Sequence, residues 1–139
     1  MDEDYYQSGL ETAAHVAYDI YYHIVWVPKY RRRVLGGDVG RTAERVIRDV
    51  CGRYGYRIDT LGVHPDHVHL LVSIPPKNSV AEAVRTIKSI TAKTLFEQHP
   101  EVKQHLWKGA LWAAGYFAKS IGSLDRDAVR NYIISEQEP

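Results

Sequence analysis

A single cysteine, Cys51, leaves no disulfide to staple the chain, and that absence fits a reducing compartment. No apolar run approaches the roughly 20 residues that a membrane-spanning helix needs. The first residues, Met1-Asp2-Glu3-Asp4, lack the basic start and apolar stretch of a secretory leader. No internal repeat and no low-complexity tract interrupts the chain. These absences predict a cytoplasmic globular domain with no membrane partner, and no nucleotide cofactor is expected. Lys and Arg are also missing from residues 1–19, which hold five acids. The rest of the chain therefore carries all 18 bases against 12 of the 17 acids.

What is present has the balance of a soluble fold: 139 residues, 45% hydrophobic and 25% charged, enough for one domain with its own core. The whole chain, 1–139, is expected to be that domain, with residues 1–15 as an N-terminal arm. Residues 17–27, rich in Tyr, Ile and Val, predict a strand ended by Pro28. Val39, Ala43, Val46, Ile47 and Val50 share one face of a helix over 39–54, which Gly55 stops. Strands follow at 56–63 and 67–74, joined by His64-Pro65-Asp66. A helix capped at Asn78 or Ser79 runs to about Gln98. Residues 101–109 predict a short helix and loop, 111–120 a fourth strand, and Asp125 begins a last helix. The order β-α-β-β-α-β plus a helix is the split β-α-β, or ferredoxin-like, pattern. It is an α+β fold with an antiparallel sheet and helices on one face.

The densest positive charge is Lys29-Tyr30-Arg31-Arg32-Arg33, with an aromatic among four cations. Such a run suits phosphate contact and base stacking, and it equally suits a solvated loop. His67-Val68-His69 is the sharpest local signal. Alternate side chains of a strand share a face, so His67, His69, Leu71 and Ser73 point one way and Val68, Leu70, Val72 and Ile74 the other. Two imidazoles about 7 Å apart along a strand can converge on one metal ion, or can lie on an exposed sheet face. His64 and Asp66, in the adjoining turn, could complete or support such a site. His15, His23, His99 and His105 show no pairing pattern. In the last helix Tyr132 and Glu136 are four residues apart and share a face, whereas Gln137 is rotated away.

Together these segments resemble the small single-tyrosine HUH transposases of insertion sequences. Tyr22-His23-Ile24-Val25-Trp26-Val27-Pro28-Lys29-Tyr30-Arg31 resembles their opening strand. Pro65-Asp66-His67-Val68-His69-Leu70-Leu71 resembles their metal motif. Leu111-Trp112, Gly115-Tyr116-Phe117 and Ser120 resemble their last strand, and residues 129–137 their tyrosine helix. The resemblance implies a homodimer that binds hairpins in single-stranded DNA. It implies Mg²⁺ or Mn²⁺ on His67 and His69, and Tyr132 as the nucleophile that forms a 5′-phosphotyrosine. The family usually carries Gln four residues after the tyrosine. Here Glu136 holds that position, so Glu136 is the expected third ligand and Gln137 the runner-up. Lys29, Tyr30, Arg31, Arg32 and Arg33 are the expected DNA contacts, with Arg85 and Lys88 as weaker ones. The rival readings are a non-catalytic nucleic-acid-binding module, including an inactive or domesticated transposase, and a metal-dependent hydrolase that activates water.

Overall fold

The computed structural model describes residues 11–13, 16–106 and 109–137. The expected N-terminal arm therefore lies mostly outside the described residues. Two short strands, β1 (Glu11–Ala13) and β2 (Val16–Tyr18), form an antiparallel pair. The main sheet is built from β3 (Tyr21–Trp26), β4 (Arg57–His64), β5 (His67–Ser73) and β6 (Phe117–Ile121). Its order is β4-β5-β3-β6, and every pairing is antiparallel. This is the split β-α-β arrangement that the sequence predicts. Helices α1 (Gly37–Tyr54), α2 (Val80–Gln98) and α3 (Arg126–Gln137) complete it.

The alternation of β5 decides how the layers stack. Val68, Leu70, Val72 and Ile74 face α1 and α2 in the main core, with Ile24, Trp26, Ile47, Val50, Cys51 and Ile87. Burying such side chains stabilises by about 1.5–3 kcal/mol each. Leu71 faces the other way and joins Tyr21, Ile121 and Ile133 in a second, smaller cluster. That cluster docks α3 on the face opposite α1 and α2. Both faces of β5 are thus covered, which explains why all but one of its residues are buried.

Three expected boundaries shift. The strand expected over 17–27 is broken at Asp19 and Ile20, where β2 leaves for its own two-stranded sheet. The fourth strand is shorter than expected, because Gly115 at φ 83° turns the chain before Phe117. Residues 111–116 still follow β3, through Lys29 N–H to the Leu111 carbonyl (2.8 Å) and Ala113 N–H to the Val27 carbonyl (3.0 Å). Helix α1 begins at Gly37, earlier than expected. Its Gly40 lies so close to the chain before the helix that a Cβ would fall 2.2 Å from the Leu35 carbonyl oxygen. Ser79 caps α2 as expected, accepting from the Glu82 N–H at 3.0 Å.

Candidate active site

The β4–β5 hairpin turns through Pro65 and Asp66, so His64 and His67 stand directly opposite each other. Cross-strand partners are close neighbours, and these two rings stack 4.3 Å apart at 9°. His69 is two residues along on the same face, its ring at 83° to both. Helix α3 reaches this face with three stripes of four-residue spacing. Val129 and Ile133 pack on the small apolar cluster. Arg126 and Arg130 reach Asp59, and Tyr132 and Glu136 reach the histidines.

Asp59 sits where the β4–β5 register shifts between Ile58 and Thr60, and such a bulge re-aims a side chain. Arg130 grips it with two bonds, Nε to Oδ1 at 2.8 Å and Nη2 to Oδ2 at 2.7 Å. These hydrogen bonds hold the Asp59 carboxyl below its ordinary range, burial opposing and Thr60 assisting. The clamp and Ile133 together place the tyrosine helix over the sheet of its own chain.

Glu136 is the hub of the site. One carboxylate oxygen accepts the Tyr132 hydroxyl at 3.0 Å. The other lies 2.7 Å from His69 Nε2, 3.6 Å from His67 Nε2 and 3.8 Å from His64 Nε2. Desolvation pushes the Glu136 carboxyl up, but the Tyr132 bond and the neighbouring His69 and His67 outweigh it and leave it low. The same hydrogen bond raises the Tyr132 hydroxyl above its ordinary value. Behind the site, His67 Nδ1 bonds Asp66 Oδ1 at 2.7 Å, and Asp66 Oδ2 accepts from Arg31 Nε at 3.1 Å. His23 on β3 reaches His69 Nδ1 at 3.0 Å.

The residues fit a divalent metal. One donor atom from each of His64, His67, His69 and Glu136 falls within 4.8 Å of all the others. His64 Nε2 is buried without a hydrogen-bond partner, as a ligand atom would be. Three imidazoles suit a first-row transition ion, and the carboxylate adds the oxygen ligand that Mn²⁺ or Mg²⁺ favours. Burial holds His69 down at about 4, with Glu136 opposing and His67, His23 and His64 reinforcing. The ring is therefore neutral, and free to coordinate, at neutral pH. A depressed folded value also has a stability consequence. Stability linked to the neutral ring is present above pH 6.5 and lost as pH falls through about 4. Burial shifts His64 and His23 in the same direction. In EDTA, the melting temperature followed by circular dichroism is expected to fall between pH 6.5 and 4, and less steeply in His69→Gln. A flat profile across that window would contradict the burial of these rings.

The structure brings together His67, His69, Tyr132 and Glu136. Gln137 is the last residue of α3. The basic run lies beside the site, with Arg31 in contact with Asp66. Tyr30, Arg31, Arg32, Arg33, Val34 and His105 line an open groove of about 710 Å³. Tyr30 and Arg31 both take left-handed backbone, at φ 58° and 53°. Non-glycine residues adopt that conformation at a cost of about 1–3 kcal/mol each, and such strain clusters at binding sites. Lys29 stands 5.5 Å over the Tyr30 ring. Arg85 and Lys88 are elsewhere, lining a separate apolar groove beside Trp112 and Tyr116. Lys88 is turned inward, giving hydrogen bonds to the Ala113 and Gly115 carbonyls at 2.9 and 3.0 Å. Sequence reasoning passes over His23 and the Asp59–Arg130 clamp, and offers His64 as a residue that could complete or support the site. The signal for His64 was its place directly across a two-residue turn from His67.

Known proteins resemble this chain in sequence and in fold. A family model described as "Transposase IS200 like" matches residues 16–136. The ISDra2 transposase TnpA of Deinococcus radiodurans is 34% identical over 121 residues, which are 87% of this chain and 86% of the relative. The transposase for insertion sequence element IS200 of Salmonella typhimurium is 30% identical over 128 residues, 92% of this chain and 84% of the relative. Among solved structures, one of a Deinococcus radiodurans R1 protein assigned as a transposase superposes with a TM-score of 0.75. It is 28% identical, and the match covers 94% of this chain and all of that one. A REP-associated tyrosine transposase bound to a REP hairpin has a TM-score of 0.64 at 17% identity, over 84% of this chain and 66% of its own, and so shares the fold.

Proposed function

We propose, from the premise that this chain belongs to the IS200-like transposase family, that it cuts and rejoins single-stranded DNA at insertion-element ends by a phosphotyrosine route. The observation that carries this reading is the shared carboxylate. Glu136 holds the Tyr132 hydroxyl on one oxygen and faces the imidazole nitrogens on the other. One residue therefore joins a nucleophile to a metal-ligating set.

A phenol titrates near pH 10 and is a weak nucleophile at neutral pH. Glu136 accepts the Tyr132 proton as the phenol oxygen attacks the scissile phosphorus. The Oη–P bond forms and the P–O3′ bond breaks. The protein is left with a 5′-phosphotyrosine, and the free 3′-oxygen takes up a proton. His64, His67, His69 and Glu136 would hold a divalent ion. Mg²⁺ or Mn²⁺ bound there would neutralise charge on the non-bridging phosphate oxygens. The phosphodiester energy stays in the Tyr132 link, so a 3′-hydroxyl from another end can reverse the chemistry without ATP. Arg31, Arg32 and Arg33 line the groove next to the site and would track the DNA backbone, with Tyr30 stacking on a base. A hairpin at the element end and a homodimer complete the reading.

The test is a labelled single strand carrying the hairpin of the protein's own element, incubated with Mn²⁺ or EDTA and resolved on a denaturing gel. The expected result is a covalent protein–DNA adduct that forms with Mn²⁺ and is absent with EDTA. Cleavage without an adduct would support a hydrolase instead. Tight binding with neither would leave a binding module or an inactive transposase.

A further inference from the structure

His23 lies on β3, one strand away from the metal-ligating face. Its register partner on β5 is Leu71, while Val25 is opposite His69, so His23 and His69 are diagonal neighbours. Their rings are nearly parallel, at 10° with centroids 5.3 Å apart, and His23 Nε2 is 3.0 Å from His69 Nδ1. Phe117 closes the far side edge-on at 6.0 Å. His69 thus has one nitrogen on His23 and the other 2.7 Å from Glu136.

A neutral imidazole offers one donor and one acceptor. The two rings face each other nitrogen to nitrogen, an arrangement that neutral imidazoles satisfy with one donor and one acceptor. The Glu136 carboxylate oxygen lies 2.7 Å from His69 Nε2, and its negative charge favours the tautomer that carries the proton on that nitrogen over one that turns a lone pair toward it. The His69 Nδ1 is then an acceptor, and His23 Nε2 must donate to it. A ligating His69 needs the reverse, because Nε2 must present its lone pair and the proton must sit on Nδ1. That Nδ1–H then needs an acceptor. A carboxylate behind His69 would suit only the second state, and a lysine only the first. An imidazole suits both, since His23 can carry its proton on Nε2 or on Nδ1.

We infer that His23 is a positioning residue that switches between donor and acceptor, holding the His69 ring in one orientation whether or not a metal is bound. The inference rests on the metal reading given above. In the switch each ring loses a proton from Nε2 and gains one at Nδ1 through solvent, so neither ring changes charge and the pair's proton count is constant. The partner behind a ligating histidine fixes its tautomer and orientation, and its loss typically costs 10–100-fold in metal affinity. An amide can also present either a donor or an acceptor, so Gln in place of His23 preserves the switch. Met has similar length and neither function.

The experiment titrates Mn²⁺ into wild type, His23→Gln and His23→Met, followed by calorimetry or electron paramagnetic resonance. His23→Met is expected to bind Mn²⁺ about 10–100-fold more weakly, and His23→Gln within about threefold of wild type. Nitrogen–proton correlation spectra of the histidine rings give a second readout. His69 is expected to carry Nε2–H without metal and Nδ1–H with Zn²⁺, used as a diamagnetic probe. Wild type that binds Mn²⁺ alongside an equally tight His23→Met would overturn the role of His23 and leave the metal site standing. Wild type that binds no Mn²⁺ would overturn the metal reading itself, and the switch with it. Should His23→Met fail to fold, a His69 ring that keeps Nε2–H in the presence of Zn²⁺ would also overturn the switch.

Discussion

Replacing Tyr132 by phenylalanine is expected to abolish the covalent adduct and to lower strand cleavage by at least about 10³-fold. Hairpin binding and thermal stability should stay as in wild type. Tyr132 is 52% exposed, and the hydroxyl bonds a carboxylate at the helix surface rather than a core group. Removing one oxygen there opens no cavity. The ring still stands edge-on to His69 at 5.8 Å, so the helix keeps its seat. The loss should therefore fall on the chemical step, with binding unchanged. Gel-based single-turnover rates and filter binding separate the two. Undiminished cleavage in the phenylalanine variant would mean that water, and not the tyrosine, attacks the phosphate.

Glu136→Ala is expected to cost about 10²-fold or more in both Mn²⁺ affinity and cleavage, exceeding the 10–100-fold typical of groups that merely support a ligand. The change removes the oxygen that faces the histidines and the acceptor for the tyrosine proton together. Glu136→Gln keeps an oxygen at that place but gives up the charge, so it should fall between wild type and alanine. Gln137→Ala should differ little from wild type. At 100° per residue, position 136 is about 40° from Tyr132 around the helix and position 137 about 140°. The reverse ranking, with Gln137→Ala the severe variant, would move the third ligand to Gln137.

Much of this was legible from local spacing. The alternation in His67–Ile74 fixes one face for the core and one for the histidines, and the structure follows it residue by residue. Tyr132 and Glu136 were paired by helical spacing alone. Arg126 and Arg130 have the same spacing, yet nothing local says where they point. Their partner Asp59 is an acid in the middle of an edge strand, 71 residues before Arg130, and it faces the helix because of a register shift. His23 is illegible for a related reason. A lone histidine in a strand carries no pairing pattern, and its partner 46 residues on becomes a neighbour only when β3 and β5 align. An apolar run does not reveal a bend, so neither the break at Asp19 and Ile20 nor the turn at Gly115 is legible in it. Residues that touch within a turn or a helix are readable, and those joined across the sheet are not.

The buried cysteine in α1 has a practical side. Cys51 is fully enclosed, and burial pushes the thiol up to about 12, with Arg48 opposing only weakly. Almost no thiolate exists at neutral pH, and reagents that consume thiolates find nothing to attack. The natural chain is thus chemically silent toward maleimides and mild oxidants. A cysteine introduced at Leu124, which is 95% exposed between β6 and the tyrosine helix, would be the single reactive sulfur in the molecule. A fluorophore attached there would sit two residues before the helix that bears Tyr132 and sense what binds beside it, without any need to rebuild the core.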